Sequence, residues 1–287
     1  MATLKNTAIS GSLTLPSGTT AQRPVNPPNG ALRFNTTLGY AEIYLHGFWG
    51  DIVSGTDLPV GRDCVCWLDA NVPESNTGSG TTWYDLSGNN HHGTLNSITR
   101  TTNGSLSTNN QNVMQCNASS SSYINVVHGG LDLRTLNTGY TVMHVTRYSG
   151  GSRGRTWNAA SNNWLLGHWS SGATNHYAEG WVYGASGGGQ VVNDENWRCY
   201  AATGKIDRDH YSFWIDGQRV AFEDTGGSNG PNSFRFGTYT NFGEVSNAQT
   251  ALFMAWNRAL SSDEVKQTQN AIQTRFGLTH NQVYSQG

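Results

Sequence analysis

Short runs of alternating apolar and polar residues, separated by Gly- and Asn-rich turns, fill most of this chain. One hairpin can be paired residue by residue over 211–222, where Asp216-Gly217 is a favoured two-residue type I′ turn. The register that this turn sets predicts Phe213 opposite Val220. Segments of this kind predict an all-β domain, because period-two alternation between turn residues is the pattern of half-buried strands.

One stretch near the C-terminus has helical periodicity instead. Ser261 with Glu264 three residues later forms a capping box, which marks a helix start. Val265, Ile272 and Phe276 then share one face at helical spacing. A glycine follows directly and supplies the stop, so we predict a single C-terminal α-helix.

The composition of the 287-residue chain agrees with a β-rich fold and excludes several classes of function. Gly contributes 35 residues and charged residues only 13%, which favours turns over amphipathic helices. The formal net charge of −2 offers no electrostatic basis for binding nucleic acid or an anionic membrane. No apolar run approaches the roughly 18 residues of a membrane helix. Residues 1–6 lack a secretory signal pattern.

Composition also divides the chain into parts. Residues 1–55 contain many of the prolines and too few apolar residues to bury a core of their own. We therefore expect this segment to dock on a partner or on copies of itself. Residues 56–62 form a predicted linker, 63–278 one large all-β domain, and 279–287 a tail.

Two segments near the ends of the large domain resemble a known family. They are the sequence CWLDA at residues 66–70, continued by GSGTTWYDLSGN at 78–89, and the sequence AWNRALSSDEV at 255–265. They resemble the two ends of a concanavalin A-like lectin/glucanase domain of the laminin G-like type. The resemblance implies a jelly-roll β-sandwich of two antiparallel sheets with one C-terminal helix, and it implies binding as the default function.

The N-terminal segment resembles a short module of bacteriophage fibre and virion structural proteins. The residues that carry this resemblance are Gln22, Arg23, Pro24, Arg33, Asn35 and Trp49. It implies a small extended β segment that anchors the chain through these residues to capsid or fibre proteins of the same virion. It also implies a homotrimer, since many virion fibres are threefold, and a location on the virion surface after synthesis in the host cytoplasm.

Catalysis by this domain is not expected from the sequence. Glycoside hydrolysis needs two carboxylates about 5–9 Å apart, and the glucanases of the resembled family carry an E-x-D-x-x-E strand. That motif is absent, and the adjacent Asp194 and Glu195 would point to opposite faces of a strand. We therefore expect that the protein is not an enzyme.

Aromatic residues in the centre of the domain are the candidate ligand-binding residues. Sugar rings stack on Trp and Tyr, while amide and hydroxyl groups bind their polar edges. We expect a glycan site formed by Trp157, Trp164, Trp169, Trp181 and Tyr183. The alternative is that most of these tryptophans belong to the core of the sandwich.

Metal and cofactor requirements are expected to be small. Asp85 and Asn89 lie in a Gly/Ser-rich loop and are weak candidates for Ca²⁺ ligands. The alternative, which we favour, is that Asp85 accepts hydrogen bonds from its own loop. No other cofactor is predicted.

The function that fits these observations is a phage virion structural protein. It would decorate the capsid or fibre and display a lectin-like domain for adhesion to host or environmental glycans. The alternative is a cement protein that stabilises the shell without binding sugar.

Overall fold

The computed structural model of the chain describes residues 13–37, 40–45, 48–51, 64–103, 105–106, 111–134, 138–169, 174–183, 192–205, 211–224, 230–239 and 243–278. The chain divides into two compact units, Met1–Gly61 and Arg62–Gly287. The predicted linker 56–62 and tail 279–287 lie outside the described residues.

The first unit is a small four-stranded sheet. Its strands in sheet order are β1 (Ser17–Gly18), β2 (Ala31–Asn35), β3 (Tyr40–Leu45) and β4 (Phe48–Asp51). β1 pairs parallel to β2, and the other two pairings are antiparallel. A short 3-10 helix, Thr20–Gln22, follows β1.

The second unit contains two large sheets and one described α-helix. Its elements are β5 (Cys66–Asp69), β6 (Thr82–Trp83), β7 (Gly93–Asn96), β8 (Thr99–Asn103), β9 (Gln111–Asn117), β10 (Tyr123–Val126), β11 (Tyr140–Arg153), β12 (Trp157–Ala159), β13 (Trp164–Leu166), β14 (His176–Ala178), β15 (Arg198–Gly204), β16 (Tyr211–Ile215), β17 (Gln218–Asp224), β18 (Phe234–Phe236), β19 (Ser246–Trp256) and α1 (Ser262–Phe276).

One sheet has seven strands in the order β14-β13-β12-β18-β10-β7-β6, and the other has the order β17-β16-β15-β11-β19-β9-β8 with β5 paired to β19. The described pairings within both sheets are antiparallel. The predicted all-β sandwich of two antiparallel sheets with one C-terminal helix is confirmed.

The core lies between the two sheets. Alternate residues of each strand point inward, so aromatic side chains from both sheets meet there. Its largest fully buried members are Trp83, Trp157, Trp164, Trp256, Tyr140, Tyr148, Tyr200, Tyr211, Phe213, Phe234 and Phe236. Burying each of the large apolar side chains stabilises the fold by roughly 1.5–3 kcal/mol.

The predicted hairpin forms, but with a shifted register. Asp216 and Gly217 have φ values of 56° and 78°, which the type I′ turn requires. Phe213 pairs with Ala221, however, and the prediction that it lies opposite Val220 is wrong. The pairing register shifts after Trp214, because β17 contains an extra residue of the kind that a β-bulge inserts.

The C-terminal helix forms as the sequence predicts. Ser261 caps it by accepting a hydrogen bond from the backbone N–H of Glu264, and both halves of the capping box are present. Gly277 ends the helix in the left-handed conformation, with φ 61°. Gln269 in its middle donates to the backbone oxygen of Cys199 at 2.8 Å, which fixes the helix to β15.

Candidate functional site

Two of the five predicted glycan-binding residues belong to the core. Trp157 and Trp164 are each 0% exposed. The Trp157 ring lies 4.2 Å from the ring of Phe253, and its indole nitrogen donates to the Thr250 hydroxyl. The prediction that these two tryptophans line a ligand site is wrong, because the inward positions of β12 and β13 bury them between the sheets.

Two other predicted residues come together at the surface. Trp169 and Trp181 are partly exposed, and their rings stack at 5.1 Å between centroids with an interplanar angle of 24°. Tyr177 packs edge-on against Trp181 at 4.9 Å. Tyr183, two residues beyond Trp181, is also partly exposed. The offset stacking of large rings forms a rigid apolar surface.

An arginine supports this pair of tryptophans from beneath. The guanidinium of Arg155 lies 5.3 Å from the ring centroid of Trp169 and 3.8 Å from that of Tyr239. Arg155 is only 5% exposed. It forms an ion pair with Glu244 and donates to the Asn163 side chain at 2.9 Å. Its charge is therefore neutralised, and it serves as a planar spacer in a cation–π stack.

We call this set, Tyr177, Trp181, Trp169, Arg155 and Tyr239, the aromatic stack. It belongs to the side of the seven-stranded sheet that faces away from the core. Tyr177 is the outward residue of β14, because its neighbours His176 and Ala178 are fully buried. Tyr239 lies three residues beyond the end of β18.

Sequence reasoning missed Arg155, Tyr177 and Tyr239. Tyr177 has a recognisable signal, since it alternates with buried neighbours in a short strand. Arg155 and Tyr239 are 84 positions apart in the sequence, and they meet because β12 and β18 pair antiparallel. No pattern among neighbouring residues in the sequence predicts a contact between positions so far apart.

Asp85, a candidate calcium ligand, accepts hydrogen bonds from the protein with both carboxylate oxygens. One carboxylate oxygen of Asp85 accepts from the backbone N–H groups of Trp67 and Ser87, and the other accepts from the Ser87 hydroxyl and the His91 N–H. Asn89 donates to Ser87 instead of facing a cation. The loop-capping alternative describes Asp85 correctly. Across the described ranges, no cluster of three His, Cys, Asp or Glu residues could hold a metal.

The predicted anchoring residues hold the first unit together. Glu42, 0% exposed, accepts hydrogen bonds from Arg23 at 2.6 Å and from the Asn35 amide at 3.1 Å. Arg33 also approaches it, at 3.5 Å, and lies over the ring of Trp49. These residues form an internal charged cluster, which leaves them little surface for contact with a partner.

The remaining anchoring residues have local roles beside this cluster. Gln22 accepts from the Thr19 backbone N–H at 2.8 Å and thereby caps the 3-10 helix. Pro24 follows Arg23 and is exposed. The opposite side of the sheet is apolar, since Leu32 and Phe34 on β2 are 38% and 39% exposed.

Three histidines are buried among the described residues of the second unit. Burial lowers the pKa of His144 to about 3 and that of His176 to about 4, and it also lowers the pKa of His168. Nε2 of His144 lies 3.0 Å from the Leu166 carbonyl, and Nδ1 of His176 lies 2.8 Å from the Leu165 carbonyl. Burial keeps both rings neutral. Each of these nitrogens must donate, because a carbonyl oxygen only accepts, and this fixes the tautomer of each neutral ring.

Asp194 and Glu195, the two acidic residues adjacent in the sequence, each form an ion pair. Burial alone would raise the pKa of Asp194, but the nearby His168 ring at 3.7 Å and hydrogen bonds from Arg198 and Asn196 outweigh it and lower that pKa. Glu195 pairs with Arg153 at 3.0 Å. Neither carboxylate belongs to the aromatic stack.

No protein-family model matches the chain, and no curated protein matches it. Solved structures do resemble it. The binding domain of Paraclostridial Mosquitocidal Protein 1 matches with a TM-score of 0.51 at 13% identity, covering 74% of this chain and 53% of that one. A Trypanosoma rangeli sialidase in complex with 2,3-difluorosialic acid matches with a TM-score of 0.48 at 16% identity, covering 76% of this chain and 34% of that one.

The β-sandwich fold of the chain resembles that of the mosquitocidal binding domain. The chain spans about half, or less, of the length of these neighbours. Identities of 13–16% show the fold alone. Within the described residues, no helix is long and apolar enough to cross a membrane.

The comparison corrects one expectation from the sequence. We expected that the protein is not an enzyme, but several structural neighbours are sialidases of Trypanosoma rangeli, with 14–16% identity. Their activity remains a property of those proteins.

Proposed function

We propose that the chain binds glycans through the aromatic stack on the outer side of the seven-stranded sheet. The observation that carries this proposal is the stacked pair Trp169 and Trp181, partly exposed and supported by Arg155. Rigid aromatic faces beside amide and carboxylate groups suit sugar rings, whose faces are apolar and whose edges carry hydroxyls. Side chains held in place before binding lose little conformational freedom when a ligand arrives.

Replacing Trp181 with alanine should weaken glycan binding by about tenfold or more, because it removes one of the two stacked indole rings. Binding of the purified wild-type chain and the W181A variant to a printed array of bacterial and animal glycans measures this.

The matched control is F222A, since Phe222 is a 45% exposed aromatic residue on the other sheet. It should bind as the wild type does. An array on which the wild-type chain retains no glycan would contradict the proposal and favour the alternative of a sandwich that stabilises a shell without binding sugar.

The first unit is proposed to assemble the chain into a homotrimer. Leu32 and Phe34 pair across the sheet with Ile43 and Ala41, which gives this side of the sheet an apolar, uncharged surface. Trp49 is the only large apolar side chain buried among the described residues of this unit. A sheet with so small a core needs cover from outside, and the same surface of further copies supplies it.

The double variant L32S/F34S should therefore shift the molar mass in solution from trimer towards monomer. Multi-angle light scattering of the full-length chain measures this. V25S is the control, because Val25 is 90% exposed in the same unit but lies outside the strands. A wild-type chain that is already monomeric at micromolar concentration would refute this assembly.

We also propose that these oligomers are displayed on a phage virion, bound to capsid or fibre proteins. The support is the resemblance of residues 22–49 to modules of phage structural proteins. Immunogold labelling of purified particles with an antibody against residues 64–278 tests this placement, and unlabelled particles would contradict it.

A further inference from the structure

A second concave surface lies on the same side of the seven-stranded sheet as the aromatic stack. It is a groove of about 630 Å³ lined by Leu95, Asn96, Ser97, Ser120, Ser121 and Tyr123. Apart from Leu95, its lining consists of hydroxyl and amide side chains and one aromatic ring, without a charged group. Such a lining suits a neutral ligand with many hydroxyls.

Tyr123 is the aromatic residue of this groove, and the fold aims it away from the core. It pairs with Asn96 across β10 and β7, and the next residue, Ile124, is fully buried. The guanidinium of Arg235 lies 5.1 Å from the Tyr123 ring centroid. Arg235 is itself held by the Asn125 side chain at 2.7 Å. The ring is therefore supported by a fixed planar group, as Trp169 is in the aromatic stack.

The groove and the aromatic stack are physically connected. Arg235, which supports Tyr123, donates to the backbone oxygen of Tyr239 at 3.3 Å. The ring of the same Tyr239 packs on Arg155 at 3.8 Å. A series of contacts thus runs from Tyr177 at one end to Tyr123 at the other, with the backbone hydrogen bond between Arg235 and Tyr239 joining its two aromatic parts.

The length of this series indicates the size of the ligand. Tyr177 lies on β14 and Tyr123 on β10, with β13, β12 and β18 between them in the sheet. Four strand spacings correspond to about 19 Å. A single pyranose ring is about as wide as one strand spacing, so only a chain of several sugars reaches from end to end.

We infer that the groove at Tyr123 is a second sugar subsite, and that the ligand is a polysaccharide chain which lies across the seven-stranded sheet from the groove to the aromatic stack. This inference rests on the proposed glycan binding. The sugar residue in the groove is neutral, because the groove has no charged side chain. Two linked subsites on a rigid surface bind one chain more tightly than either binds alone.

The test compares chain lengths. Cellohexaose, chitohexaose, maltohexaose and a hexamer of galacturonic acid are titrated by calorimetry into the full-length protein, each beside its own disaccharide. At least one hexasaccharide should bind about tenfold or more tightly than its disaccharide. Y123A should remove that length advantage while disaccharide binding at the stack remains. Y123F should keep it, since the ring remains.

The outcomes separate the inference from the function on which it rests. If no hexasaccharide binds the wild-type chain, the proposed glycan binding fails together with the inference. If a hexasaccharide binds but Y123A binds it equally well, or its disaccharide binds with the same affinity, the inference alone fails. F222A, on the other sheet, should leave every affinity unchanged. Tyr123 is partly exposed, so Y123A should fold, and its melting temperature verifies this.

Discussion

The free energy of unfolding should fall steeply as the pH drops from about 6.5 to about 4.5, because three buried histidines must be kept neutral. Burial lowers the pKa of His144 to about 3, that of His176 to about 4, and that of His168 in the same direction. Unfolded histidine has a pKa of about 6.5. Between the two values the unfolded chain binds protons that the folded chain does not, so acid favours unfolding.

The size of the effect follows from proton linkage. Each such histidine contributes a slope of up to about 1.4 kcal/mol per pH unit below pH 6.5. His144 and His176 together remove on the order of 5 kcal/mol over two units, which is comparable with the whole stability of many domains, and His168 acts in the same direction. The carboxylates Asp132, Asp194 and Glu264 have lowered pKa values. Their contributions are present above an unfolded pKa of about 4 and are lost at lower pH, outside this window.

Guanidinium unfolding curves at about pH 7, 6 and 5 measure the slope. H176N is the matched variant, because an asparagine amide can still donate to the Leu165 carbonyl but does not titrate. It should reduce by about half the part of the slope that His144 and His176 contribute, since one of these two titrating groups is gone. Equal stability at pH 7 and 5, or an unchanged slope in H176N, would show that the interior accommodates charged histidine.

Trp157 and Trp181 should respond in opposite ways to truncation. Replacing Trp157 with alanine should cost about 3–5 kcal/mol of unfolding free energy, because it opens a cavity between the sheets. Its ring is fully buried and packs within 4.2 Å of Phe253 and 5.2 Å of Phe236. W181A should cost less than about 1.5 kcal/mol, since Trp181 is partly exposed and contacts mainly other surface rings.

Chemical denaturation of the two variants beside the wild type measures this difference. The comparison also distinguishes the two interpretations of these tryptophans, either as core residues or as residues that contact a ligand. A W157A variant that retains wild-type stability would show that this position tolerates a cavity and is not essential to the core. A W181A loss as large as that of W157A would mean that weakened glycan binding in W181A reflects unfolding.

Local sequence patterns predict correctly those features that depend only on residues a few positions apart in the chain. The capping box at Ser261 and the turn at Asp216-Gly217 each depend on residues within a few positions, and both form as predicted. The register beyond the turn was not predictable in the same way, because a bulge in β17 moves Phe213 opposite Ala221. One inserted residue changes every later pair, and nothing in the alternation marks where it will fall.

The residues of the predicted glycan site also show that tertiary structure decides what the sequence leaves open, since some lie in the core and others at the surface. All five predicted aromatic residues lie between positions 157 and 183. The composition of this segment identifies it as a source of aromatic side chains. Composition alone does not say which side of a strand faces the core. Trp164 and Trp181 differ in this respect only because β13 places Trp164 inward against Tyr140, whereas Trp181 packs on surface rings.

The sequence by itself determined the all-β class and the C-terminal helix, since alternation, turn residues and caps act over short distances. The sandwich of two antiparallel sheets was implied by the resemblance of the two end segments to a known family. The tertiary structure decided the rest. It placed three of the predicted anchoring residues, Arg23, Arg33 and Asn35, around the buried carboxylate of Glu42. It also brought Arg155, Tyr239 and Trp169 together from three separate loops. The physical reason is that strand pairing joins residues far apart in the chain, and only the completed sheets show which side chains remain at the surface.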